Sequence, residues 1–246
     1  MDERAAYQHR RFAFLSKYID VVSSIGLEVG ASDLPTVPAE VGQCRYADFR
    51  SADEMARMWK LPRESLCAVD YLLTREKGIS DQIPDRFDYI VACHVLEHVP
   101  DIITYLNELR TLLNAGAGKV ILVTLPDKRA TLDRTRPSTT IERLLGHYHS
   151  KITYPPFDQL LEFHRHWVGY ANSSAPLPIR EAYDYADRYL ASGEADAHCH
   201  VWEDQQFLDQ CRELIDGGFL SDLQIAQFEP FALGANEFAV VFKTTS

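Results

Sequence analysis

The sequence predicts an α/β fold: a mostly parallel sheet flanked by helices, ending in an antiparallel strand. Three observations carry this. Short apolar runs alternate with helical stretches as far as residue 125, and such alternation requires right-handed crossovers between parallel strands. The run at 119–125 is rich in Val, Ile and Leu, as strands buried on both faces are. The last two strand candidates, 223–228 and 237–243, are joined only by residues 229–236. That connection is too short for a crossover helix, so the pair is expected to be antiparallel.

Residues 5–24 mix apolar and charged side chains at helical spacing and predict one amphipathic helix. The run Ile25-Gly26-Leu27-Glu28-Val29-Gly30 reads as a buried strand stopped by a glycine turn. A second strand is expected at 44–49. Ser51 and Glu54 follow at capping-box spacing and open a helix. A third strand is expected at 66–73, with Asp70 inside it, and a fourth at 87–91. After Pro100-Asp101, apolar residues recur at three-to-four spacing from Ile102 to Leu113, giving a helix ended by Gly116 and Gly118. From about 126 to 200 the rhythm breaks, and irregular structure with helices laid over the domain is expected. A helix at 203–215, stopped by Gly217-Gly218, precedes the final strand pair. The whole reads as one domain. Residues 1–24 form its N-terminal helix, 25–125 the core, 126–200 an insertion that covers the substrate, and 201–246 the final helix and strands.

The chain has 246 residues and a net charge of -11. That length buries a sizeable core without staples. The charge argues against nonspecific binding to nucleic acid or anionic membrane. Five scattered cysteines with no C-x-x-C pair argue against a disulfide framework, so reduced thiols in a cytoplasmic protein are expected. The start Met1-Asp2-Glu3-Arg4 lacks the apolar stretch of a signal peptide, and no apolar run reaches the ~20 residues that span a bilayer.

In open α/β sheets the ligand lies at the carboxyl ends of the strands. Gly30 ends the first strand and lets backbone approach a ligand. Asp48 ends the second, 20 residues after Glu28, a distance that suits an acid binding ribose hydroxyls. Asp70, placed late in the third, is a candidate for the adenine amino group. The fourth strand leads into Cys93-His94-Val95-Leu96-Glu97-His98-Val99.

These segments resemble the class I S-adenosylmethionine-dependent methyltransferase family. Leu27-Glu28-Val29-Gly30 with Asp33-Leu34-Pro35 looks like its first motif. Arg45-Tyr46-Ala47-Asp48 looks like the second. Phe87-Asp88-Tyr89-Ile90-Val91 through His94-Val95-Leu96-Glu97-His98-Val99-Pro100-Asp101 is similar to the fourth. Residues 119–129 match the region of its fifth strand. The likeness continues at Arg136-Pro137, at His200-Val201-Trp202 and at Asn236-Glu237-Phe238. Ser32 stands where the usual loop has a second glycine; the loop with Pro35 resembles a bacterial subgroup's own version. Members of that subgroup often accompany glycan-biosynthesis genes.

The resemblance implies a Rossmann-like fold and S-adenosyl-L-methionine as cofactor. It implies cofactor contacts from Glu28, Gly30, Ala31, Ser32 and Asp48, and from Asp70, Tyr71, Cys93 and His94. The acceptor is expected to be a small molecule or glycan. His98 is preferred as base over His147, His149 and His164, with Asp127 beside it. Lys128, Arg129 and Arg136, with His147, are candidates to clamp the acceptor.

Two other readings stand beside this one. The missing second glycine suits a noncatalytic or degenerate Rossmann-like binding protein. His94, Glu97 and His98 also match the H-x-x-E-H string of a zinc peptidase, although the string follows a strand directly and Pro100 interrupts it. In some methyltransferases a Glu-His pair at the position of Glu97 and His98 binds a divalent metal, and the resemblance leaves that alternative open, although no metal is assigned; the tracts His164-Arg165-His166 and His198-Cys199-His200 are assigned no ligand role.

Overall fold

The computed structural model describes residues 3–173, 175–194, 196–232 and 235–246. Met1 and Asp2, which open the predicted helical region, lie outside the described residues. So do residues 233 and 234 of the predicted short connection.

Seven strands form one sheet: β1 (Ile25–Val29), β2 (Gln43–Asp48), β3 (Tyr71–Leu72), β4 (Tyr89–Cys93), β5 (Val120–Pro126), β6 (Leu223–Glu229) and β7 (Glu237–Thr244). Their spatial order is β3-β2-β1-β4-β5-β7-β6. Strands β1 to β5 pair in parallel, and β7 inserts antiparallel between β5 and β6. The order reverses at β1 and β4, which creates the crevice where such sheets bind ligands.

Among the described residues the α-helices are α1 (Glu3–Leu15), α2 (Ala52–Trp59), α3 (Ile79–Gln82), α4 (Ile102–Leu112), α5 (Ile141–Ser150), α6 (Phe157–Phe163), α7 (Gly169–Ser173), α8 (Ile179–Ser192) and α9 (Asp204–Asp216). A π-helical turn, His164–Val168, joins α6 to α7.

Side-chain alternation along the central strands divides the core in two. On β4, Ile90 and Ala92 join the cluster under α4 and α9. Tyr89, Val91 and Cys93 join the opposite cluster, with Phe14 and Leu15 of α1. On β5, Ile121 and Val123 face the first cluster, Val120 and Leu122 the second. Period-two alternation with both faces apolar is what a central parallel strand requires. Helix α4 buries Ile102, Ile103, Leu106, Leu109 and Leu112, each contributing roughly 1.5–3 kcal/mol by leaving water. Asp101 caps it by accepting the Thr104 N–H at 3.0 Å. The capping box at α2 forms as the spacing predicts, with Ser51 N–H donating to Glu54 at 2.8 Å and Glu54 N–H to Ser51 Oγ at 3.3 Å.

Two elements differ from expectation. The first helix stops at Leu15 rather than near 24, because Asp20 accepts from Val22 N–H and Ser23 Oγ and favours local turns. The third strand has two residues, not eight, and begins after Asp70.

Candidate functional site

The loops after β1 and β4 meet at the switch point. Gly30 has φ +72°, and a Cβ there would sit 2.9 Å from Val95 Cγ2 on the facing loop. Ser32 has φ 52° and His94 φ 54°, the left-handed region that non-glycine residues rarely occupy. The position that usually carries a second glycine therefore keeps a glycine-like backbone with a serine. Together these loops line a cleft of about 410 Å³ with Tyr7, Arg11, Leu34 and Asn236. Ala31 and Cys93 also line it. Asp48 ends β2, accepts the Arg50 N–H at 3.0 Å, and has a pKa raised by burial. Its neighbour Phe49 lines a larger cleft of about 650 Å³ with Arg75, Ile79, Val99 and Tyr105. The Arg75 guanidinium lies over the Phe49 ring, 4.4 Å from its centroid.

A charge network backs the first cleft. Glu237 of β7 accepts from both Arg11 Nε at 3.1 Å and Arg10 at 2.8 Å, and lies 2.8 Å from His94 Nε2. Burial opposes its ionisation, but the bonds from His94 and Arg11 outweigh burial and hold its carboxyl well below the usual range. His94 Nδ1 faces Glu97 Oε1 at 3.6 Å.

Several predicted site residues have other work. Glu28 lines the cleft, but both its oxygens accept Thr36 N–H, at 2.7 and 2.9 Å, and one accepts Val37 N–H at 3.2 Å. It clamps the loop; burial raises its pKa to about 7 against these bonds. Asp70 is a correction. It lies before β3, accepting the Tyr46 N–H at 2.9 Å and pairing with Arg45 at 3.2 Å, so it does not stand with Asp48 at the carboxyl edge. Tyr71 donates to Asp85 and packs edge-on to Phe87.

The acceptor clamp and the bases need correction too. The Arg136 side chain is 0% exposed and is bound by Asp133 at 2.8 Å, Glu162 at 2.9 Å and the His198 carbonyl at 2.9 Å. Lys128 donates to the Arg136 carbonyl. Arg129 holds Asp127 through two bonds, at 2.8 and 2.6 Å, and Asp204 at 2.6 Å. Asp127 is fully buried in that pairing, so it is not a base. His147 lies 2.8 Å from the Pro100 carbonyl. His98 has its pKa pushed down to about 3 by burial and by neighbouring His198, which makes it a weak proton acceptor at neutral pH. His94 and His98 share no helix face, because a left-handed residue and a 3₁₀ turn, Leu96–His98, follow the strand. The H-x-x-E-H peptidase geometry is absent from this segment.

The structure adds residues that spacing alone did not reveal: Tyr7, Arg11, Asn236 and Glu237 at the cleft, and Asp133 and His198 beside Glu97. All are brought in from distant sequence. Segment 196–200 crosses the turn after β4, where Cys199 and His200 donate backbone N–H to the Glu97 carbonyl at 2.7 and 3.1 Å. Asp196 pairs with Arg50 at 2.5 Å.

Sheet order and cleft position are those of class I methyltransferases, and a family profile described as a methyltransferase domain matches residues 7–213. The chain belongs to that methyltransferase-domain family. No curated protein matches its sequence. Among solved structures, a Rhodobacter sphaeroides protein classed as a Zn-dependent alcohol dehydrogenase is similar at TM-score 0.53 and 13% identity, over 96% of this chain and 90% of its own. Magnesium protoporphyrin IX methyltransferase from Synechocystis PCC 6803, with bound SAH, has TM-score 0.47 and 10% identity over 99% and 85%. The CurJ carbon methyltransferase has TM-score 0.48 and 12% identity over 99% of this chain. This methyltransferase-domain chain spans about half the CurJ length, 54%. Family and fold together give a class I methyltransferase-like domain.

Proposed function

We propose that this chain transfers the methyl group of S-adenosylmethionine to a small-molecule or glycan acceptor. The observation that carries the reading is the cleft at the β1–β4 switch point. Its walls include the left-handed Gly30 and Ser32, the Ala31 between them, the Cys93-His94 end of β4 and Arg11; Asp48 ends the neighbouring strand β2, outside this lining. The fit is chemical. The close loops leave no room for a Cβ at Gly30 and let backbone N–H groups approach a ligand. Arg11 offers charge to a carboxylate, and Asp48 offers an acceptor to ribose hydroxyls. The cofactor, when bound, supplies an electrophilic methyl group.

The chain's own residues then act mostly by placement, since aligning an acceptor with the methyl and excluding water supplies much of the rate. Segment 196–200 and helices α5 to α8 cover the acceptor side in this reading, and Asp196 tied to Arg50 holds the cover near Asp48. The net charge of -11 disfavours a nucleic-acid acceptor. No helix among the described residues is long and apolar enough to cross a membrane. The left-handed Ser32 counts against the degenerate reading, because the loop keeps its shape without the second glycine.

Calorimetry with S-adenosylmethionine and S-adenosylhomocysteine, on wild type and Asp48→Ala, tests this. Micromolar binding that weakens at least tenfold in the variant supports the site. Equal affinity in both removes the ribose role of Asp48. No binding at millimolar cofactor overturns the methyltransferase reading.

A further inference from the structure

Outside the cofactor cleft, one group of side chains has the composition and placement of a ligand set. Glu97, His98 and His198 each offer one donor atom, and the three atoms lie within 4.8 Å of one another. Glu97 and His98 sit on the turn after β4. His198 arrives from 100 residues further along the chain. It is carried by segment 196–200, which the two N–H bonds to the Glu97 carbonyl and the Cys199 thiol, directed at the His98 carbonyl, pin in place. The His98 and His198 rings meet edge to face with centroids 4.8 Å apart.

Two further observations point to a ligand. The Glu97 side chain is 2% exposed, yet its Oε2 is buried with no hydrogen-bond partner among the described residues. A buried carboxylate oxygen without a donor bears the full cost of its lost hydration, so such groups call for an explanation. His198 is also oriented from behind. Its Nδ1 lies 2.6 Å from Asp133 Oδ2, and Asp133 is itself held by Arg136 at 2.8 Å. A carboxylate on one ring nitrogen fixes the tautomer and presents the other nitrogen as a ligand, the usual outer partner of a metal-bound histidine.

We propose that Glu97, His98 and His198 bind one divalent first-row transition ion, with Asp133 and Arg136 as its outer support. Two imidazoles and a carboxylate are a borderline donor set that suits Zn²⁺, Fe²⁺ or Co²⁺ rather than Mg²⁺ or Ca²⁺. Three protein ligands leave a coordination position open. The site stands on the turn that follows the Cys93-His94 wall of the cofactor cleft, so the open position is suited to an acceptor hydroxyl. Ion binding does not depend on the methyl-transfer reading; use of the ion to acidify an acceptor does. In that use the hydroxyl proton passes to water and the oxygen forms its bond to the methyl carbon. The sulfur–carbon bond breaks in the same displacement, its electron pair left on sulfur.

The test uses the full-length protein stripped with a chelator and titrated with Zn²⁺ by calorimetry, then with Co²⁺ followed by visible absorption. The expected result is one ion per chain and an intense cobalt spectrum of low coordination number. His198→Ala and Glu97→Gln each weaken binding at least 100-fold. Asp133→Asn weakens it about 10- to 100-fold, as loss of an outer partner does. Because the core around Asp133 is charged and buried, His98→Ala is measured too, with circular dichroism to confirm folding. Absence of stoichiometric ion in wild type overturns the proposal, as does unchanged affinity in folded His98→Ala and His198→Ala. S-adenosylhomocysteine affinity is measured on the same samples. Cofactor binding without metal sinks the ion alone, and metal without cofactor sinks the methyltransferase reading alone.

Discussion

His94 Nε2 lies 2.8 Å from Glu237 Oε2, which joins the end of β4 to the start of β7 across the edge of the candidate cleft. The same carboxylate binds Arg11 of α1 through both oxygens. A single acid on the antiparallel strand thus ties the first helix to the turn that carries His94. The antiparallel insertion of β7 next to β5 puts Glu237 opposite Pro126, at the carboxyl edge of the parallel strands.

Glu237→Gln is expected to destabilise the fold by roughly 3–5 kcal/mol, because it leaves the buried Arg11 charge without its partner. The pH dependence has a definite sign. The folded carboxyl is held below its unfolded value, so its contribution is present above about pH 4.5 and is lost as pH falls below that. Urea midpoints between pH 7 and pH 3 should fall more steeply for wild type than for the variant. Parallel curves would show that Glu237 carries no such linkage.

Gly30→Ala and Ser32→Gly should move stability in opposite directions. At Gly30 a Cβ meets Val95 Cγ2 at 2.9 Å in a left-handed backbone, so alanine is expected to cost about 1–3 kcal/mol. At Ser32, with φ 52°, glycine relieves strain of about 1–2 kcal/mol and gives part of it back in chain entropy. A small rise in melting temperature for Ser32→Gly, with cofactor affinity retained, is the expected reading; a fall would show that the serine side chain holds the loop.

Arg136→Ala separates a fastener from a clamp. Removing a guanidinium that is 0% exposed leaves buried Asp133 with only the His198 ring and Glu162 with only Arg143 at 3.9 Å. A loss of about 3–5 kcal/mol in folding stability is expected. Arg136→Lys should recover only part of it, since lysine lacks the planar fork. A stable Arg136→Ala protein with a raised KM for its acceptor would restore the clamp.

Asp48→Asn keeps an acceptor for the Arg50 N–H, so folding should be nearly unchanged. Replacing a charge-assisted hydrogen bond to ribose by a neutral one should weaken cofactor binding about 5- to 20-fold, since such bonds are roughly twice as strong. Calorimetry on the variant checks it; affinity equal to wild type would move the ribose contact elsewhere.

The order of strands and helices was legible in the sequence because it rests on local signals. Apolar runs marked β1, β4 and β5. The Ser51–Glu54 spacing marked the start of α2, and the short 229–236 connection marked the antiparallel pair. Positions at strand ends follow from those elements, so Gly30, Ser32, Cys93 and His94 were found from one-dimensional pattern and do line one cleft. The roles of charged side chains were not legible, because they depend on partners far away in sequence. Arg136 and Asp127 look the same in a string whether they face solvent or a buried counter-charge. Only the packing of 133–136 against 162 and 198 decided the first, and of 127 against 129 and 204 the second. The extent of β3 was decided in the same way, by Asp70 turning to Arg45 and Tyr46 before the strand begins. The tract His198-Cys199-His200 carried no meaning until tertiary structure laid it on the turn after β4. There, two backbone bonds to one carbonyl set His198 beside Glu97 and His98. Local sequence determined where the chain turns and which faces are apolar, since both depend on neighbours within a few residues. The meeting of distant charges was left to the fold, since it depends on the closure of loops that no short pattern encodes.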